Sequence, residues 1–115
     1  MNQNLLKMKN IILLFLLSLS ATFYAQKASV ISIQSNAQCG DCQERIETAL
    51  NQSKGVIYAE LNMETKVVEI KYNRKKTDVA TLKKVLNAIG YDADDQKADA
   101  TAQKALPLCC QPGGH

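Results

Sequence analysis

The sequence predicts an α+β fold: a βαββαβ sandwich in which a four-stranded antiparallel sheet carries two helices on one face. Three observations predict it. Short segments of alternating apolar residues have strand length, two others place apolar residues at helical spacing, and the order along the chain is strand, helix, strand, strand, helix, strand. At 115 residues there is room for one domain.

The chain opens on a predicted signal peptide, residues 1–25. Lys7 and Lys9 form a positive start, and the run Ile11 to Leu19 is apolar apart from Ser18. Cleavage after Ala25 leaves Gln26 at the N-terminus; cleavage after Ala21 and an uncleaved anchor are the alternatives, since Phe23 stands where a small residue is preferred. The apolar run is shorter than the roughly 20 residues of a membrane-spanning helix, so no stable membrane insertion is expected after cleavage. The expected location is periplasmic or secreted. Without the signal, 12 basic and 11 acidic residues remain. That near-neutral balance gives no electrostatic case for nucleic acid or an anionic membrane.

The predicted domain occupies residues 26–95. Ala28 to Gln34 reads as a strand with Ile31 and Ile33 on one face. A polar loop, Ser35 to Gly40, carries Cys39, and a helix starts near Asp41 or Cys42. Its apolar stripe is Cys42, Ile46, Ala49 and Leu50, and Lys54-Gly55 is its predicted stop. Val56 to Asn62 and Val67 to Tyr72 form a hairpin around the turn Met63 to Lys66. Thr77 or Asp78 caps a second helix, with Val79, Leu82, Val85, Leu86 and Ile89 inward and Gly90 beyond its end. Tyr91 to Ala93 is the predicted fourth strand. This is the split βαβ, or ferredoxin-like, arrangement. Residues 96–115 form an alanine-rich tail holding Cys109 and Cys110. Within it, the segment from Asp99 to Ala105 has helix-forming composition, and Pro107 stops the helix.

Chemistry concentrates in Cys39-Gly40-Asp41-Cys42. Two thiols lie between a strand and a helix. The free N–H groups and positive dipole end of the helix N-terminus favour thiolate, and Arg45 adds a positive charge one turn on. On these grounds Cys42, placed in the first helical turn, is expected to be the more acidic thiol. A pair of thiolates without hard ligands suits soft ions. Cu(I) is the first choice and Hg(II) the second, since both accept two sulfurs. Zinc normally takes four ligands and becomes credible only if Cys109 and Cys110 complete a four-sulfur site. Two other uses of the pair stay open: a structural disulfide in an exported protein, and a thiol–disulfide redox protein cycling the same two cysteines. The tail cysteines are extra ligands swinging in to close the Cys39–Cys42 site, an incidental flexible chain end, or disulfide partners of Cys39 or Cys42 after oxidation. His115 reads as a solvated terminus, and Lys75-Lys76 and Lys83-Lys84 as a solvated face. No Ser/His/Asp set, phosphate loop or catalytic carboxylate pair is present, so an enzyme is not expected.

The Cys-x-x-C loop in this element order resembles the heavy-metal-associated domain of copper chaperones, periplasmic mercury-binding proteins and the N-terminal modules of metal-pumping ATPases. The matching stretches are Cys39-Gly40-Asp41-Cys42, Glu44-Arg45-Ile46-Glu47, Ala49-Leu50, Gly55-Val56, Leu61-Asn62, Val67-Val68-Glu69-Ile70-Lys71-Tyr72, Leu82-Lys83-Lys84-Val85 and Ala88-Ile89-Gly90-Tyr91. The resemblance implies that Cys39 and Cys42 bind the metal, that Tyr91 lies beside the site, and that a metal transporter or another metal-binding protein is the partner. Two departures stand out. The family often has Gly-Met-Thr before its first cysteine, where this chain has Asn36-Ala37-Gln38. The acid that precedes the cysteine in some zinc-handling members is Gln38 here.

Overall fold

The computed structural model describes residue 4, residues 7–11 and residues 28–113. Most of the predicted signal segment, and His115, lie outside the described residues. Among the described residues no helix is long and apolar enough to cross a membrane.

The elements are β1 (Ala28–Gln34), α1 (Gly40–Asn51), β2 (Val56–Leu61), β3 (Val67–Asn73), α2 (Val79–Ala88), α3 (Ala100–Ala105) and a 3-10 turn at Leu108–Cys110. The sheet has three strands in the order β1-β3-β2, both pairings antiparallel. Register explains the core. Ile33 and Leu61 both stand opposite Val68, and Ile31 and Ala59 both stand opposite Ile70. Period-two alternation therefore puts these residues on one face. Onto that face α1 lays Cys42, Ile46 and Leu50, spaced four apart, and α2 lays Leu82 and Leu86. Ala49, expected in the α1 stripe, is only half-buried.

The predicted fourth strand does not form. Tyr91 to Ala93 contributes only an isolated bridge, Ala93 to Gln96. Asp94 is the reason. Its φ of 53° turns the chain; its N–H donates to the Gln34 carbonyl at 2.8 Å, and its carboxylate accepts from the Gln34 N–H at 2.8 Å. The edge of β1 is thus met by one residue's backbone and side chain rather than by a ladder. Lys83 anchors the same carboxylate at 3.1 Å.

Two glycines act through space rather than as simple stops. Gly55 lies beyond the α1 C-cap, which is Gln52. With φ at 85°, it sits where a Cβ would come within 2.9 Å of the Lys76 and Thr77 side chains. Gly90 follows α2 with φ at 103°, and a Cβ there would meet the Ala102 carbonyl and the Leu106 side chain at 3.0 Å. The tail is therefore part of the folded body. Asp99 caps α3 by accepting from the Ala102 N–H, Leu106 packs beside Gly90, and Leu106 and Cys110 join the buried core.

Leu86→Ala should cost about 2–5 kcal/mol, the usual range for a buried leucine that leaves a cavity. Urea unfolding should show a lower midpoint with an unchanged slope. Asp78 caps α2, its carboxylate accepting from the Thr81 N–H at 2.8 Å, and that bond holds its pKa below the ordinary carboxylate value. A depressed folded pKa stabilises above the unfolded pKa and stops doing so as pH falls through the folded one. Asp78→Ala should therefore lower the melting temperature at neutral pH, with the gap to the native chain closing in strong acid.

Candidate metal centre

Helix α1 begins one residue earlier than the sequence suggests, at Gly40, and Cys39 is its N-cap with an extended backbone, φ −146° and ψ 176°. The Cys39 carbonyl accepts from the Cys42 and Gln43 N–H groups at 3.0 and 3.2 Å. Cys42 occupies the first turn and points into the core, fully buried, while Cys39 stays partly open to solvent. The loop before them is held by small polar groups. Ser35 donates its hydroxyl to the Lys66 carbonyl at 2.7 Å and accepts from the Ala37 N–H at 3.3 Å. Asn36 accepts from the Asp92 N–H at 2.9 Å, which ties the cysteine loop to the loop carrying Tyr91. Ala37 is buried.

The 3-10 turn of the tail delivers the other two thiols. The Cys39 sulfur stands 3.5 Å from that of Cys42, 3.4 Å from that of Cys109 and 3.4 Å from that of Cys110. Cys109 and Cys110 are 3.8 Å apart, and none of the four is in a disulfide. Cys39, Cys42 and Cys110 offer three sulfurs within 4.8 Å of one another. The Asp41 carboxylate reaches the Cys109 sulfur at 3.9 Å. Soft donors dominate the set, so the side chains present fit a thiophilic ion.

Thiol acidity corrects one expectation. Cys39 is the activated thiol: the Cys42 amide facing its sulfur, helped by the neighbouring thiols, lowers its pKa from 9.0 to about 7. The sulfur makes no side-chain cap hydrogen bond of regular geometry, but it lies over the open end of α1, where N–H groups outnumber acceptors. Placing the helix start one residue too late assigned this effect to Cys42. Arg45 is exposed on α1 and is not among the groups that lower the Cys39 thiol. Contact with Cys39 pushes the Cys109 thiol up, and burial pushes the Cys110 thiol up strongly.

Tyr91 is at the site, fully buried. Burial above all, and then the sulfurs of Cys42 and Cys110, hold its proton on. Its hydroxyl has no hydrogen bond of regular geometry. The sequence missed Asp41 and the buttressing residues Asn36, Gly90 and Leu106. Gly90 carried a signal, since glycine past a helix end also marks close approach by another segment. The candidate residues named from the sequence, Cys39, Cys42 and Tyr91 with Cys109 and Cys110 as possible additions, all lie together.

The model of the heavy-metal-associated domain family matches residues 33–92. A copper-exporting P-type ATPase of Staphylococcus saprophyticus is 42% identical over 72 residues, which are 61% of this chain and 9% of the ATPase. The chain thus spans less than a tenth of such curated relatives. Among solved structures, a CopZ metallochaperone is 32% identical with a TM-score of 0.54, covering 56% of this chain and 98% of its own. The N-terminal domain of a potential copper-translocating P-type ATPase from Bacillus subtilis, solved in the Cu(I)-loaded state, is 29% identical with a TM-score of 0.56, covering 58% and 85%. These matches overturn the periplasmic or secreted location expected from the leading residues. The matches are to copper-exporting ATPases and to a metallochaperone, and an exporter takes its ion from the inner side of the membrane.

Alkylation of the reduced, metal-free protein followed by peptide mass spectrometry should show Cys39 reacting with a midpoint near pH 7, well below that of Cys109. A Cys39 midpoint at or above that of Cys109 would remove the helix-terminus account.

Proposed function

Because the chain belongs to the heavy-metal-associated domain family, we propose that it binds one Cu(I) as cargo through Cys39 and Cys42 and passes it by thiolate exchange to a metal transporter or another metal-binding protein. The observation that carries this is the contact of the two loop sulfurs at 3.5 Å at the open end of α1, with one of them already inclined to ionise. Thiolate is the form that ligates, and two thiolates satisfy a soft ion of low coordination number. The names of the relatives point to copper. Hg(II), which accepts the same pair, is the second ion.

The asymmetry of the pair supports transfer. Cys39 is reachable from solvent and Cys42 is fully buried. An incoming partner thiolate therefore meets the ion on the Cys39 side. It bonds to the ion while Cys42 still holds it, and the protein sulfurs leave in turn, each taking a proton from water. Tyr91 contributes by excluding water from the Cys42 side and offering its retained hydroxyl proton towards that sulfur.

In a competition titration against a Cu(I) chelator, the reduced chain should take up one Cu(I), and Cys39→Ser/Cys42→Ser should abolish that uptake because hydroxyls are poor soft-ion ligands. Unchanged affinity in the double variant would place the site elsewhere.

A further inference from the structure

Resting on the reading of the Cys39–Cys42 loop as a metal site, we propose that Cys109 and Cys110 close it into a four-sulfur site that gives this module a second cargo class, a thiophilic divalent cation in tetrahedral coordination such as Zn(II). The convergence is built into the fold. Gly90 leaves room for α3, Leu106 is buried against it, and Pro107 caps the 3-10 turn whose last residue, Cys110, is buried at the loop. Seventy residues of sequence separate Cys39 from Cys109, yet their sulfurs are in contact.

The spacing matches most of a four-sulfur site. With metal–sulfur bonds near 2.3 Å, the edge of a tetrahedron is about 3.8 Å, whereas a linear two-sulfur site needs a separation of about 4.6 Å. The measured separations among these sulfurs are 3.4, 3.4, 3.5 and 3.8 Å. These are four of the six edges, each within a few tenths of the tetrahedral length, and a fifth pair, Cys42 and Cys110, lies within 4.8 Å; the Cys39–Cys42 pair would open by about an ångström to hold an ion linearly. A second observation is independent of the cysteines. The Tyr91 hydroxyl is buried beside the Cys42 and Cys110 sulfurs with no hydrogen bond of regular geometry to either. A buried unpartnered hydroxyl is costly, and a thiolate is a far better acceptor than a thiol. Ionisation of these two sulfurs on metal binding supplies the partner that Tyr91 lacks. Each thiol that ligates releases its proton to solvent, so four thiolates and a divalent ion leave the site with two net negative charges. Their buried neighbours are one phenol and apolar groups. The N-terminus of α1 faces them with free N–H groups.

The test uses the full reduced chain and two probes, Zn(II) by competition with a chromophoric chelator and Co(II) by visible absorption. Co(II) reports on geometry, because tetrahedral thiolate sites give intense d–d bands and a sulfur-to-cobalt charge-transfer band that grows with the number of sulfurs. The native chain should bind one ion of either kind. Cys109→Ser/Cys110→Ser should weaken Zn(II) by at least a hundredfold, roughly halve the charge-transfer intensity per bound Co(II), and change Cu(I) affinity by less than tenfold. Leu106→Ala, which keeps all four sulfurs but loosens the tail, should weaken Zn(II) at least fivefold with Cu(I) again little changed. Circular dichroism confirms that each variant is folded, and Cys110→Ala replaces Cys110→Ser if the buried hydroxyl unfolds the chain. Zinc affinity and cobalt spectra equal in native and tail variants would overturn the four-sulfur site while leaving Cu(I) binding by the loop intact. Loss of Cu(I) binding in the tail variants together with its retention in Cys39→Ser/Cys42→Ser would overturn both.

Discussion

Burial of the Cys42 side chain in the first turn of α1 is the constraint on which the rest of the site depends. Cys42, Ile46 and Leu50 recur every four residues and are fully buried, so the helix that packs the sheet must also place a sulfur at its open end. The same register puts Cys39 at the N-cap, where helix N–H groups without intrahelical partners gather. A slip of one residue in α1 would expose Ile46 and Leu50 together with Cys42. Burial of one large aliphatic side chain is worth about 1.5–3 kcal/mol, so the core fixes the metal loop far more firmly than any contact within the loop could.

The remaining sulfurs arrive by a different route. They ride on a segment that the βαββαβ frame does not require, docked through Leu106 on the surface that Gly90 leaves open. In place of a fourth strand the chain uses Asp94 to satisfy the end of β1, and it then leaves the sheet plane. That departure lets α3 cross the end of α2 and return to the cysteine loop. Asn87 helps to steer it, accepting through its carbonyl from the Asp99 N–H at 3.0 Å and donating its side-chain amide to the Tyr91 carbonyl at 3.0 Å. A full edge strand in residues 91–95 would carry the chain straight past this turn.

The legible part of the sequence was the part with strong periodicity. Ile31 and Ile33, the stripe Cys42–Ile46–Leu50 and the α2 stripe gave the layers because apolar spacing reports burial directly. Asp99 and Pro107 gave the tail helix because a cap and a breaker act locally. The fourth strand was misjudged because Tyr91-Asp92-Ala93 is too short for periodicity to carry weight, and a left-handed Asp94 is a tertiary outcome that composition does not announce. The acidity of Cys39 was misassigned by one residue of helix boundary, which lies within the ordinary uncertainty of helix ends. That the tail could bring Cys109 and Cys110 to the loop followed from a helix stopped at Pro107, but the contact that docks it could not be read, because Gly90 marks a close approach without naming Leu106 as the residue that approaches.

How firmly the tail sits follows from comparing magnitudes. Ordering its backbone costs about 1–2 kcal/mol for each residue fixed. Burial of the Leu106 and Cys110 side chains returns only a few kcal/mol at about 25 cal/mol per Å², and each hydrogen bond along the segment adds about 1 kcal/mol net. The ordering cost therefore offsets much of what these contacts contribute. A metal–thiolate bond is stronger than any of them. On the four-sulfur proposal, an ion that takes up Cys109 and Cys110 would favour the docked tail, and an ion held by two sulfurs would not. On that proposal, open and closed forms of one site would sort ions by coordination number. Cys39 is common to both, in contact with all three other sulfurs, so the two cargoes exclude each other at a shared ligand. A partner thiolate reaches a two-sulfur ion by way of Cys39, but it must first displace the tail to reach an ion held by four. On that proposal, retention and delivery would both depend on the contact of Leu106 against Gly90, about which the metal loop itself carries no information.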